Sequence, residues 1–180
     1  MNSTKRVEKA QQEQQEKARL KEEVMGYLLS TPKKIDEASD LLAKNFLKTH
    51  NLYTIRSDKV IEMWIYDEGI YVPNGATAVK EFVYGFVGAK YSTYFINQVT
   101  AKVQVNSYIN QEKMFEEAPT NLIPVQNGIL DITTATLQPF TPELRFFHKL
   151  PVTYNKKAKS PNCLKFFMDV LPNSSDRKFL

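Results

Sequence analysis

The spacing of apolar positions divides the chain into helical and extended stretches. Residues 1 to about 23 are rich in Glu, Gln, Lys and Arg, which favour helix, yet no apolar stripe forms before Leu20, Val24 and Leu28. The pattern predicts a charged helical arm over 1–23 and a compact domain over 24–180. Ser30-Thr31-Pro32 marks a break that can also cap the next segment, in which Ile35, Ala38, Leu41, Leu42 and Phe46 recur at helical spacing to about Lys48. Residues 53–56 and 62–67 read as extended, because Met63 and Ile65 alternate with Trp64 and Tyr66. Glu68-Gly69 then supplies a tight turn into 70–72, which makes a β-hairpin. After Pro73-Asn74-Gly75, the run Val79, Phe82, Val83, Phe86 and Val87 gives the strongest helical stripe in the chain, closed by Gly88. Ser92 or Thr93 caps a further helix with Ile96, Val99 and Val103 facing inward.

Beyond the polar stretch 110–120 the pattern becomes short and extended: 122–126, the pair Asn127-Gly128, 129–131, a Thr133-Thr134-Ala135 turn, and 136–140. Asn and Gly both tolerate the positive φ of a type I′ turn, so a small meander turning at that pair is expected. Pro139, Pro142 and Pro151 keep the following chain irregular. Ser160 as cap and Pro161 as first helical residue then launch Leu164, Phe167, Met168 and Leu171 on one face, with Pro172 as the stop. The expected fold class is therefore α+β: a helical amino-terminal portion, a hairpin, two central helices, a small antiparallel meander and a carboxyl-terminal helix. No repeat of solenoid period occurs.

Composition changes this picture little. At 180 residues, 42% apolar and 24% charged, the chain fits one globular domain. The net charge of +4 is unevenly placed: residues 1–34 carry +3, 35–60 are neutral, 61–120 carry −3 and 121–180 carry +4. A mild basic excess permits contact with nucleic acid. No apolar run approaches the length of a membrane span and the first residues do not resemble a signal peptide, so a soluble, intracellular chain is expected. The single cysteine, Cys163, cannot form an internal disulfide. With only His50 and His148 beside it, it makes a poor zinc set, and a buried bystander thiol is expected.

Several chemistries lack their residues. The six glycines do not form a phosphate-cradling loop, and none precedes Lys. No Asp-x-Asp is present to gather two metal ions. Neither metal nor cofactor is expected. His148 lies in Arg145-Phe146-Phe147-His148-Lys149, where flanking positive charge opposes its protonation and no Ser-His-Asp relay is suggested. His50 ends a helix and can contact its last carbonyls. What remains is a cationic and aromatic set, Arg145, His148, Lys149, Tyr154, Lys156, Lys157, Lys159 and Lys165. Interleaved cations and rings suit single strands, since phosphates meet Lys and Arg while bases stack. Asn155-Lys156-Lys157-Ala158-Lys159 reads equally as a solvated connector, with Tyr154 packed inward.

Three segments together carry a family resemblance. Trp64-Ile65-Tyr66-Asp67-Glu68-Gly69-Ile70-Tyr71 resembles the W-x-Y-D-x-G-x-Y hairpin that opens the amino-terminal domain of phage, plasmid and poxvirus-type primase-helicases. Asn121-Leu122-Ile123 with Asn127-Gly128-Ile129-Leu130-Asp131 is similar to that domain's N-L-I … N-G-V-L-D stretch. Lys149-Leu150-Pro151-Val152 through Tyr154, with Ser160-Pro161 and Val170-Leu171-Pro172, looks like its L-P-V-x-Y … C-P … F-L close. The resemblance spans about residues 40–180. It implies a replication domain that precedes a superfamily 3 helicase ATPase. The motor of the relatives lies beyond the position of Asp176-Arg177-Lys178-Phe179-Leu180, and their catalytic residues lie outside this stretch, so none carries over. The expectation is a non-catalytic module that couples to, or oligomerises with, a helicase or full-length primase-helicase. It is expected to touch single-stranded DNA through its basic carboxyl-terminal third. The alternative is a protein-interaction or regulatory piece that binds the helicase without DNA, using the charged amino-terminal helix. A hydrolase built on His148 requires a pocket that joins it to an acidic residue.

Overall fold

A computed structural model describes residues 2–57, 61–88 and 92–171. Helix α1 (Asn2–Leu29) runs unbroken into the body, where Val24 is fully buried and Leu20, Met25, Tyr27 and Leu28 pack beside it. Lys17 Nζ lies 5.8 Å above the Phe86 ring, so contact with the core starts within the charged stretch. Ser30 closes this helix, its Oγ 2.7 Å from Tyr27 O. It does not cap α2 (Ile35–Thr49), whose N-cap, Lys34, makes no side-chain cap bond.

Strands β1 (Leu52–Ile55), β2 (Glu62–Asp67) and β3 (Ile70–Val72) form an antiparallel meander, with Ile65 opposite both Leu52 and Val72. Glu68 (φ +44) and Gly69 (φ +97) turn its hairpin, the positive-φ pair that a twisted two-strand ribbon prefers. Helices α3 (Gly75–Val87) and α4 (Thr93–Asn106) follow, the latter capped by Ser92 Oγ, which accepts from Phe95 N at 3.2 Å. Strand period 2 sends Leu52, Met63, Ile65 and Val72 to one face of the sheet, against Leu42, Phe46, Val79, Val83, Val99 and Val103 of the helices. Gly75 permits this approach, because a Cβ there would come within 2.8 Å of Leu52 and Met63.

The polar stretch 110–120 and the two residues before it hold more structure than composition suggests. Strand β4 (Tyr108–Ile109) pairs parallel with β1 and completes the sheet order β3-β2-β1-β4, and a single helical turn, α5 (Gln111–Met114), buries Met114 completely. Met114, Ile55, Ile109 and Tyr71 form a second core on the other face of the sheet, flanked by Tyr53, Trp64, Tyr66 and Phe147.

A separate antiparallel sheet follows: β5 (Leu122–Val125), β6 (Gly128–Asp131) and β7 (Thr136–Gln138). The expected type I′ turn at Asn127-Gly128 is shifted by one residue. Val125 pairs with Gly128, so Gln126 and Asn127 make the turn, and of residues 126–128 only Gly128 has positive φ (+149). A Cβ at Gly128 would strike the Gln138 carbonyl of β7. Helix α6 (Pro161–Val170) forms where expected, but its inward stripe does not: none of its residues is buried, and Cys163 is exposed rather than buried. Among the described residues none covers this helix enough to bury a side chain, so periodicity gives the helix while its expected burial is not met. Pro172 lies outside the described residues. Among those residues, no helix is long and apolar enough to cross a membrane.

Candidate nucleic-acid interface

Every candidate residue follows from the path of the chain after β7. Residues 140–154 cross from the large sheet to the small one and are bonded to both. On the large sheet, Tyr71 N donates to Phe146 O (2.7 Å) and Tyr71 Oη to Pro142 O (2.9 Å). Burial pushes the Tyr71 phenol well above its ordinary range, with the neighbouring tyrosines adding to the shift, so it stays a neutral donor. On the small sheet, Leu150 N donates to Pro124 O and Gln126 N to Val152 O, both at 2.9 Å, which lays this segment parallel to β5. Asn127 then clamps the backbone of Tyr154: its Nδ2 donates to Tyr154 O (3.0 Å) and its Oδ1 accepts from Tyr154 N (2.9 Å).

That path divides the eight sequence candidates. Arg145 Nη2 sits 3.0 Å from Glu116 Oε2 with its side chain only 16% exposed, so its charge is already matched. Lys149 Nζ donates to Glu68 O (3.0 Å), meets Glu68 Oε2 at 3.4 Å, and lies 5.7 Å from the Phe140 ring centroid. Tyr154 is half-buried and its hydroxyl donates to Ala135 O at 3.1 Å. These three fasten the crossing segment. His148 is exposed. Lys156, Lys157 and Lys159 project from an exposed turn in which Asn155 Oδ1 accepts from Lys157 N (2.9 Å) and Asn155 O from Ala158 N (3.0 Å). Lys165 is exposed on α6. Among the described residues none of these four lysines makes an ion pair.

The resembling motifs hold the same junction together. Asn121 Nδ2 and Thr133 N both donate to Asp131 Oδ1, at 3.2 and 2.9 Å, and these bonds hold the Asp131 carboxyl below the usual range, the Thr133 amide contributing most. Gly69 lies so close to Phe140 that a Cβ would overlap the ring. Among the described residues no group of three or more His, Cys, Asp or Glu is placed to hold a metal.

Sequence reasoning missed an aromatic group beside His148. The rings of Phe115 and Phe147 are 5.0 Å apart, and Trp64 stands edge-on to both, at 5.7 and 5.3 Å. Close by, Arg56 lies 5.7 Å from the Tyr108 ring centroid at the mouth of a cleft that Phe115 also lines. The family described as D5 N terminal like matches residues 4–172. The chain belongs to that family. It is thus a domain of D5-type primase-helicase replication proteins. No curated protein matches the chain. In this D5 N-terminal-like domain, the hairpin, the N-G-I-L-D stretch and the L-P-V-x-Y segment meet at one junction, which accounts for their appearing together.

Proposed function

We propose that this domain is a non-catalytic replication module that couples to the helicase region of a primase-helicase and contacts single-stranded DNA through the turn bearing Lys156, Lys157 and Lys159. The observation that supports it most directly is the difference between cations. Arg145 and Lys149 are matched by Glu116 and Glu68, whereas the three turn lysines are exposed and make no ion pair among the described residues. Lys165, exposed on α6, adds a further cation without an ion pair among the described residues. A single strand neutralised at three lysines gives a binding constant whose logarithm falls with log salt by roughly 2 more than without them. The test is fluorescence anisotropy of a labelled oligonucleotide across a salt series. Changing Lys156, Lys157 and Lys159 together to Glu is expected to weaken binding and flatten the slope by about that amount; equal slopes would remove the DNA contact.

A second reading, docking to a protein partner, is favoured by α6. Leu164, Phe166, Met168 and Val170 are 55–60% exposed on one short helix, more apolar surface than water alone rewards. Phe166→Asp with Met168→Asp should then weaken co-purification with a full-length primase-helicase and leave oligonucleotide affinity unchanged.

A further inference from the structure

The aromatic face of the large sheet offers a base-binding site separate from the lysine turn. A cleft of about 600 Å³ opens beside β4 and α5, lined by Arg56, Asn110, Gln111, Glu112 and Phe115. The Arg56 guanidinium is exposed, makes no ion pair among the described residues, and lies over the ring of Tyr108. Tyr108 and Phe115 are each 41% exposed, although large aromatic side chains gain most by burial. Phe115 is held from behind by Trp64 and Phe147, so one part of its ring is fixed while the rest faces the cleft. An exposed cation, one open ring and two uncharged amide side chains line this cleft and together match a nucleotide: phosphate on the Arg56 guanidinium, base against the Phe115 ring, base edge toward Asn110 and Gln111. Glu112, which also lines the cleft, can accept from an exocyclic amine and disfavours a second phosphate beside it.

We propose that the cleft lined by Arg56, Asn110, Gln111 and Phe115 seats one base and phosphate of a single strand. This rests on the single-strand reading above. Phe147, which packs on Phe115, belongs to the crossing segment that leads on through Tyr154 to the lysine turn.

Trp64 is the one tryptophan in the chain and touches Phe115, so its fluorescence reports on this cleft and not on the lysine turn. The experiment titrates an octanucleotide of deoxycytidine into the whole chain, reading both Trp64 emission and probe anisotropy. The expected result is saturable quenching. Arg56→Glu should weaken it on the order of tenfold, and Phe115→Ala should abolish it with the far-ultraviolet circular dichroism unchanged. The lysine-turn triple variant should keep the quenching while losing salt-dependent affinity. Wild-type quenching and affinity in Arg56→Glu, whose exposed side chain makes misfolding no explanation, would overturn the site. Anisotropy without any change in Trp64 emission would also overturn it while leaving the lysine turn standing. No binding by either readout would sink both. Deoxycytidine monophosphate binding as tightly as the octanucleotide would overturn the assignment to a strand.

Discussion

Gly69→Ala tests how the hairpin is joined to the crossing segment. At φ +97 a Cβ carries about 1–2 kcal/mol of backbone strain. It would also overlap the ring of Phe140, and forcing an extra methyl into occupied space costs about 1–3 kcal/mol. A stiffer unfolded chain offsets about 0.4–1 kcal/mol of this. The net expectation is a loss of about 3 kcal/mol, a large share of the roughly 5–15 kcal/mol that holds a domain of this kind folded. Urea unfolding followed by circular dichroism measures it. In a Phe140→Ala background the ring is gone, and the same change should cost only about 1 kcal/mol. Shortening Phe140 also removes the aromatic surface under Lys149, so the Glu68–Lys149 pair belongs to the same unit. A loss below about 1 kcal/mol, or equal losses in both backgrounds, would refute the close packing of turn on ring.

Further tests address the remaining fastenings. Asn127→Ala removes both bonds to the Tyr154 backbone and should cost about 1–2 kcal/mol in urea unfolding, whereas a change under a few tenths would mean the clamp is idle. The Tyr71 phenol has a raised folded value, so its contribution is complete below its ordinary pKa near 10 and falls by about 1.4 kcal/mol per pH unit above it. The stability advantage of the native chain over Tyr71→Phe should therefore shrink from pH 9 to 11, and a constant gap would contradict the burial of that hydroxyl. Asp131, lowered in the folded state, contributes above the ordinary carboxyl range and loses that contribution as acid protonates it. Melting temperatures of the native chain and Asp131→Asn should converge on going from pH 7 to pH 3; parallel curves would count against its bonds to Thr133 and Asn121.

Periodicity made the helices and the hairpin legible, because Met63 and Ile65 against Trp64 and Tyr66 encode the two faces of one strand without any knowledge of neighbours. It could not say what covers the aromatic face. The cover comes from Met114 and Phe147, on a single helical turn and an irregular crossing, neither long enough to show a period. Arg145 and Lys149 looked like free cations because their acids, Glu116 and Glu68, stand 29 and 81 positions away in the chain. Arg56 and Phe115 belong to no charge run and meet only when β4 pairs beside β1. At the shifted Gln126-Asn127 turn, Asn127 is engaged by Tyr154, a contact no local rule contains. In α6 the stripe is visible in the sequence, but a stripe does not reveal whether anything lies against it.

The clamp on Tyr154 also determines what a cut in the exposed lysine turn would do. Trypsin cleaving after Lys156, Lys157 or Lys159 would sever the chain beyond Tyr154, the last residue among those described that is bonded to the small sheet. Among the described residues the bonds that lace the two sheets together all lie before the cut, so they would survive the nick.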